Sequence, residues 1–158
     1  MKYTDHKVVF REVPDEITLA INISGCPVRC PGCHSSYLTQ DIGEILDESS
    51  LKAMIEVSPG ISCVSFMGGD ADPLYVKRLS EWVHSNCPGL KTCWYSGRDL
   101  KNAADVLGSL DFIKVGPYVD EFGPLDSPTT NQRFYRIDNT SGKPVLEDWT
   151  GRFLKKIF

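Results

Sequence analysis

Four short apolar segments, separated by stretches with helical periodicity, constrain the fold of this chain more than any other feature. They predict strands because they are rich in β-branched and aromatic residues, and they are ITLAINIS (17–24), ISCVSFM (61–67), KTCWYS (91–96) and DFIKVG (111–116). Helices are predicted between them, from Asp47 to the Pro59-Gly60 pair, from Pro73 to Asn86, and from Asp99 to Leu107. This alternation predicts an α/β protein with a mainly parallel, open sheet.

Size and composition predict one domain that spans residues 1–158. The net charge of -4, from 17 basic and 21 acidic side chains, gives no electrostatic case for a nucleic-acid partner. The sequence has no apolar run of the ~18 residues that a membrane span needs, and its N-terminus is too polar for a signal peptide. We therefore expect a cytoplasmic protein without a membrane partner.

RFYRID (133–138) predicts a last strand, followed by a packed tail.

A loop rich in glycine and proline follows the first predicted strand and carries Cys26, Cys30 and Cys33 in the spacing C-x3-C-x2-C. A reducing cytoplasm argues against disulfides, so these thiols are candidate metal ligands. Structural zinc usually takes four protein ligands, and His34 is available as the fourth. Iron–sulfur clusters are held by thiolates in loops of this kind, usually by four. Three thiolates would leave one iron without a protein ligand, and both interpretations stay open at this point.

Several motifs together resemble the radical S-adenosylmethionine (SAM) enzymes. SGCPVRCPGCH (24–34) resembles the cysteine loop of the small activating enzymes of anaerobic ribonucleotide reductase. FMGGDADPL (66–74) is similar to the Gly-Gly-acidic motif with which the family binds the methionine ammonium of SAM. WYSG (94–97) and TTNQRF (129–134) resemble the family's fourth-strand region and a stretch near the C-terminus of the activating enzymes. The resemblance extends from Ile17 to Arg136.

The resemblance implies a 4Fe–4S cluster held by Cys26, Cys30 and Cys33, with SAM bound to the fourth iron. It implies no catalytic residue beyond the cluster and the SAM site. The implied cofactor-binding residues are Gly32, Cys33, His34, Gly68, Gly69, Asp70 and Ser96. This chain has Ala71 and Asp72 inserted in the family's Gly-Gly-Asp-Pro-Leu motif, so Asp72 is an alternative to Asp70 as the acidic residue.

The function implied by the resemblance is the reductive cleavage of SAM to a 5′-deoxyadenosyl radical, which generates a glycyl radical on anaerobic ribonucleoside-triphosphate reductase. An electron donor is the second implied partner. Because a full (β/α)8 barrel takes about 250 residues, the expected fold is a partial (β/α) barrel of the radical SAM type, open to a protein substrate. The alternatives are activation of another glycyl-radical enzyme, radical chemistry on a small molecule, and a zinc-knuckle binding module. The lack of a second cysteine group favours the reductase.

Overall fold

A sheet of eight strands organises the chain in the computed structural model, which describes residues 1–33 and 35–154. The strands are β1 (Lys2–Val9), β2 (Thr18–Ile23), β3 (Glu44–Ile45), β4 (Cys63–Met67), β5 (Lys91–Tyr95), β6 (Phe112–Val115), β7 (Arg133–Asp138) and β8 (Val145–Asp148). The α-helices are α1 (Glu48–Glu56) and α2 (Pro73–Asn86). Across the sheet the strands follow the order β3-β1-β2-β4-β5-β6-β7-β8.

The sheet is mixed, with a parallel centre and antiparallel edges. The neighbours β2, β4, β5 and β6 are all parallel. On one side β1 and β3 continue the sheet in antiparallel pairs, and on the other side β7 and β8 do the same. The four segments that the sequence predicts as alternating strands are the parallel ones, so their carboxyl ends meet at one edge of the sheet.

Both α-helices begin at the residues that their capping signals predict. The Asp47 carboxylate accepts a hydrogen bond from the Ser50 N–H at 2.8 Å, and the Ser50 hydroxyl accepts one from the Asp47 N–H at 2.9 Å. This reciprocal pair satisfies two N–H groups at the start of α1. Pro73 opens α2, and the Asp72 carboxylate accepts from the Tyr75 N–H at 3.1 Å.

The helix predicted over Asp99–Leu107 begins after Asp99 as expected, but it is not a continuous α-helix. Two short 3-10 turns, Leu100–Ala103 and Leu107–Ser109, occupy this part of the chain. Asp99 accepts hydrogen bonds from both the backbone and the side chain of Asn102, at 3.1 Å and 2.6 Å. The bond to the Asn102 N–H is an N-cap of the kind that opens α1 and α2, but the segment that follows it forms only short turns.

The two faces of the sheet are covered differently. Side chains alternate between the faces of a strand, and Ile21, Phe66, Trp94 and Ile113 point into the larger core, where they pack with α1 and α2. A smaller apolar cluster covers part of the other face and contains Val13, Cys63, Cys93, Phe112 and Phe134. The predicted packed tail is confirmed as far as residue 154, because the ring of Phe153 lies 4.9 Å from that of Phe134. No helix within the described ranges is long and apolar enough to cross a membrane.

Candidate functional site

A cavity of about 180 Å³ lies at the carboxyl ends of the four parallel strands. Ligands of open α/β sheets bind at this edge, because the loops that leave the strands meet there. Near the ends of the parallel strands, Asn22, Met67, Tyr95 and Lys114 line the cavity from one face of the sheet. Ile23, which belongs to the helix-covered core, also contributes to the lining. The cavity therefore lies mainly on the face of the sheet opposite to the helices.

The cysteine loop forms one wall of this cavity, and Cys26, Cys30 and Cys33 all line it. The base of the loop is fixed by two backbone hydrogen bonds, from Gly25 to Gln40 at 2.9 Å and from Cys26 to Leu38 at 2.8 Å. All three thiols are partly buried. The loop therefore delivers three thiols to one enclosed space while keeping them accessible from it.

Two neighbouring segments hold the cysteine loop against the strand ends. Val28 packs on Gly97, where an added Cβ would meet three Val28 atoms at 3.0–3.2 Å. On the other side, the Tyr118 N–H donates a hydrogen bond to the Cys30 Sγ at 3.3 Å. The Asn131 side chain donates to the Pro117 carbonyl at 3.0 Å and so ties the late loop to the Tyr118 segment. Hydrogen bonds to thiolate sulfurs are a means by which proteins tune iron–sulfur clusters.

Asp70 and Asp72, the two candidates for the acidic residue, have different positions in the structure. Asp70 is only 2% exposed and lines the cavity. The Ser96 hydroxyl donates to its Oδ1, and the Gly97 N–H donates to its Oδ2 at 3.0 Å. Asp72 is exposed and caps α2. The carboxylate that is available to a ligand in the cavity is therefore that of Asp70.

The Gly68-Gly69 turn connects β4 to this site. The Gly68 carbonyl accepts a hydrogen bond from the Trp94 indole N–H at 2.7 Å, and Gly68 lines the cavity. An added Cβ at Gly68 would lie 2.9 Å from the Ile23 carbonyl oxygen, and one at Gly69 would lie 2.7 Å from Val76 Cγ2. Both residues have positive φ angles, which favour glycine. The turn thus needs both glycines for its backbone and its packing.

Lys114 is a cavity residue whose ammonium is held in place. Its Nζ donates to the carbonyl oxygens of Ser96 and Gly116, at 3.1 Å and 3.0 Å. Burial lowers the pKa of this ammonium, whereas Asp70 and the three thiols of the cysteine loop act in the opposite direction. From the sequence, Lys114 at the end of its strand could either reach the site or extend into solvent, and the structure shows that it lines the cavity.

The structure brings most of the predicted site residues together. Six of them line the one cavity, namely Cys26, Cys30, Cys33, Gly68, Asp70 and Ser96. Gly32 and Gly69 lie outside its lining; Gly32 packs beside Tyr118, and Gly69 packs on Val76. His34 lies outside the described residues. Lys114 and Tyr118 also line the cavity. The hydrogen bond from Tyr118 to Cys30 joins residues that are far apart in the sequence, so only the folded structure reveals it.

The spacing of the acidic, thiol and imidazole groups bears on the kind of metal centre. Within residues 1–33 and 35–154, no three such side chains are gathered closely enough to bind a single metal ion. A zinc knuckle brings its thiolates to about 2.3 Å from one ion, whereas each thiolate of a 4Fe–4S cluster binds a different iron. The three thiols line one cavity, and the choice between the two kinds of centre rests on the comparison with known families.

Comparison with known protein families identifies the kind of centre. Residues 17–136, which are well over half of the chain, match the family model for a 4Fe-4S single cluster domain. The chain belongs to this family. It is therefore an iron–sulfur protein, and the zinc-knuckle interpretation loses its support. Neither the curated proteins nor the solved structures contain a match to the chain.

The residues around the cavity fit a 4Fe–4S cluster in their chemistry. Three thiols supply ligands, the Tyr118 N–H donates to one of the sulfurs, and the Lys114 ammonium offers positive charge beside them. The rest of the lining is largely apolar, and the Gly68 turn and the Asp70 carboxylate border it on the side of the strand ends. This 4Fe-4S single cluster domain thus has a candidate cluster site next to a candidate ligand site.

Proposed function

We propose that this chain is a radical SAM activating enzyme, whose 4Fe–4S cluster is bound by Cys26, Cys30 and Cys33. The observation that carries the proposal is that these three thiols share one cavity with Gly68, Asp70 and Ser96. A cluster held by three thiolates has one iron without a protein ligand, and an open metal position that faces a cavity is suited to binding a substrate there.

The chain's own residues supply binding, orientation and charge. The bound cluster and SAM supply the chemistry, in which one electron from an external donor cleaves a carbon–sulfur bond of SAM and yields a radical that abstracts a hydrogen atom from a glycine. Asp70 keeps one free lone pair on each carboxylate oxygen after its bonds to Ser96 and Gly97. With these it would accept hydrogen bonds from the ammonium group of SAM, and Ser96 would fix the orientation of the carboxylate.

The proposed fold is a partial (β/α) barrel of the radical SAM type. Its support is the series of four parallel strands, with the cysteine loop after β2 and the glycine turn after β4. The face of the sheet opposite to the helices carries a second groove of about 620 Å³, which shares Tyr95 with the cysteine cavity.

The proposed partners are anaerobic ribonucleoside-triphosphate reductase, as the acceptor of the glycyl radical, and an electron donor. The cytoplasm is the compartment that this chemistry requires, because it keeps the thiols reduced. The resemblance of SGCPVRCPGCH and TTNQRF to the activating enzymes of this reductase supports the choice of partner.

Formation of 5′-deoxyadenosine from SAM tests the proposed activity. The anaerobically reconstituted and dithionite-reduced protein should form 5′-deoxyadenosine and methionine in equal amounts, measured by liquid chromatography. Cys30→Ala should abolish both products because it removes one cluster ligand. Cys87→Ala, which changes a partly buried thiol remote in sequence from the loop, should retain them. Product formation by the reduced Cys30→Ala protein would contradict the proposal.

The identity of the partner is tested separately, by mixing the reduced protein and SAM with the reductase and recording the electron paramagnetic resonance (EPR) signal of a glycyl radical. The proposal predicts this signal. SAM cleavage without a glycyl radical on the reductase would contradict the assigned partner, and would redirect the work to another glycyl-radical enzyme or a small-molecule substrate.

A further inference from the structure

Lys114 places a positive charge beside the cysteine cavity and holds it there. The side chain leaves β6 on the open face of the sheet and lines the cavity with the three cysteines. Its Nζ donates to the Ser96 carbonyl at 3.1 Å and to the Gly116 carbonyl at 3.0 Å. Two hydrogen bonds to the backbone of two different loops fix the position of the ammonium. A solvated lysine side chain would have no such fixed position.

The groups that surround this ammonium are negative or become negative when a cluster binds. The Asp70 carboxylate and the thiols of Cys26, Cys30 and Cys33 are the groups that interact electrostatically with it. Thiolate ligands carry negative charge, and a partly buried site screens charges less than water does. A fixed cation at this place offsets part of that charge.

The same strand end makes a second contact to the thiols. After Gly116 the chain continues to Tyr118, whose N–H donates to the Cys30 Sγ at 3.3 Å. The segment from Lys114 to Tyr118 thus presents both a cation and a hydrogen-bond donor to the cysteine loop. Charge and hydrogen bonds to sulfur are two of the factors that set the potential of an iron–sulfur cluster.

We propose that Lys114 is a positioning residue that raises the reduction potential of the 4Fe–4S cluster by holding its ammonium beside the cysteine thiolates. The inference rests on the cluster ligands proposed above. Reduction adds one electron to a site that is already negative, so a nearby cation stabilises the reduced state more than the oxidised state. Removal of the charge should make the cluster harder to reduce.

The test is a redox titration of the reconstituted protein without SAM, monitored by the EPR signal of the reduced cluster. Lys114→Gln removes the charge and keeps an amide that can donate to the Ser96 and Gly116 carbonyls. At the midpoint potential of the unchanged protein, the ratio of reduced to oxidised cluster should fall about tenfold, which for one electron equals a shift of about 59 mV. Lys114→Arg should recover most of the shift. Lys143→Gln, which removes an exposed lysine near β8, should leave the midpoint in place.

Each outcome of the titration decides the inference. An unchanged midpoint in Lys114→Gln overturns it, and so does an equal shift in Lys114→Arg, because the effect would then be structural. If Lys114→Gln takes up no cluster, uptake by Lys114→Arg supports the role of the charge, and failure of both variants overturns it. A loaded cluster with an unchanged midpoint overturns the inference alone, whereas an unchanged protein that takes up no cluster at these cysteines overturns the proposed function as well, so the two failures are distinguishable.

Discussion

Asp70 and Asp72 are two carboxylates, two residues apart, with different roles. Asp70 is buried and accepts hydrogen bonds from the Ser96 hydroxyl and the Gly97 N–H. Asp72 is exposed and accepts one from the Tyr75 N–H at the start of α2. The first joins the loop after β4 to the loop after β5, and the second only caps a helix. This difference determines what each carboxylate contributes.

Replacing each carboxylate with alanine separates the two roles. Asp70→Ala should lower the free energy of unfolding by about 3 kcal/mol, because it leaves the Ser96 hydroxyl and the Gly97 N–H without their acceptor in a buried place. It should also weaken SAM binding. Asp72→Ala should cost about 1 kcal/mol, the usual value for a lost N-cap, and should leave SAM binding unchanged. Urea denaturation and equilibrium binding of SAM measure both effects; equal losses of SAM binding would contradict the assignment.

At the scale of residues, the sequence predicts the types of side chain in the candidate site more successfully than it predicts their positions in space. The C-x3-C-x2-C spacing and the glycine pair identify the residues of the loops, and the structure brings the cysteines together with Gly68. The sequence does not distinguish Asp70 from Asp72, because both precede Pro73 and either one suits a helix start. Burial makes the difference, and burial depends on β5, which is distant in the sequence.

At the scale of elements, the position of the cysteine loop depends on its contact with the end of β5. An added Cβ at Gly97 would meet Val28 Cγ2 at 3.0 Å, which is closer than ordinary van der Waals contact. Gly97 is not among the residues with a positive φ angle. A side chain at this position would therefore disturb the packing of the loop and would not strain the backbone.

Gly97→Ala should reduce the iron content of the reconstituted protein severalfold, because it displaces the loop that carries the three thiols. Val28→Ala in the same chain should restore most of the iron, since it removes Cγ1 and Cγ2, the two nearest of the three atoms that the new methyl group meets. Iron analysis of both single variants and the double variant forms a double-mutant cycle. Additive losses in the double variant would contradict a direct contact between the two positions.

The sequence predicts elements well where local signals decide them. Capping residues set the start of α1 and α2, and apolar runs set the parallel strands. Local signals fail where pairing with a distant strand determines the structure, as in β1. The residues of β1, KYTDHKVV, are mostly polar and partly or fully exposed. They form a strand because they pair with β2. Over 99–107 the capping signal of Asp99 correctly marks the start, but the segment forms 3-10 turns and not a continuous α-helix.

At the scale of the whole molecule, a polar contact ties the helix layer to the sheet. The His84 Nε2 on α2 lies 2.9 Å from the Asp111 Oδ2, which also accepts a hydrogen bond from the Thr92 N–H of β5 at 2.9 Å. The hydrogen bond to Asp111 is the main cause that raises the pKa of His84 above its ordinary value of 6.5. Protonated His84 therefore favours the folded state.

The sign of this shift predicts how stability depends on pH. The contribution of His84 is fully present below its unfolded pKa of about 6.5, and it is lost as the pH rises through the higher pKa of the folded state. The change should be below about 1 kcal/mol, because both side chains are 36% exposed and water screens the pair. Urea denaturation at about pH 6 and about pH 8 should show a larger decrease in the unchanged protein than in His84→Gln. An equal decrease would contradict the role of His84.

At the scale of the whole sheet, the antiparallel edges are harder to predict from the sequence than the parallel strands at the centre. Alternation of strands and helices predicts the parallel strands, and nothing in a local pattern distinguishes an antiparallel strand at the edge from a loop. The cavity is a property of the whole molecule as well, since segments distant in the sequence line it. Its existence follows from the parallel centre, because the loops of parallel strands leave at one edge.

The central claim is that three cysteines hold a 4Fe–4S cluster with one iron open to SAM. The most direct measurement is the EPR spectrum of the anaerobically reconstituted, dithionite-reduced protein, recorded with and without SAM. The account predicts a 4Fe–4S signal that changes shape when SAM is added, and that is lost in Cys26→Ala, Cys30→Ala and Cys33→Ala. A fully loaded cluster whose signal is identical with and without SAM would contradict the claim, and so would a signal that survives removal of these thiols.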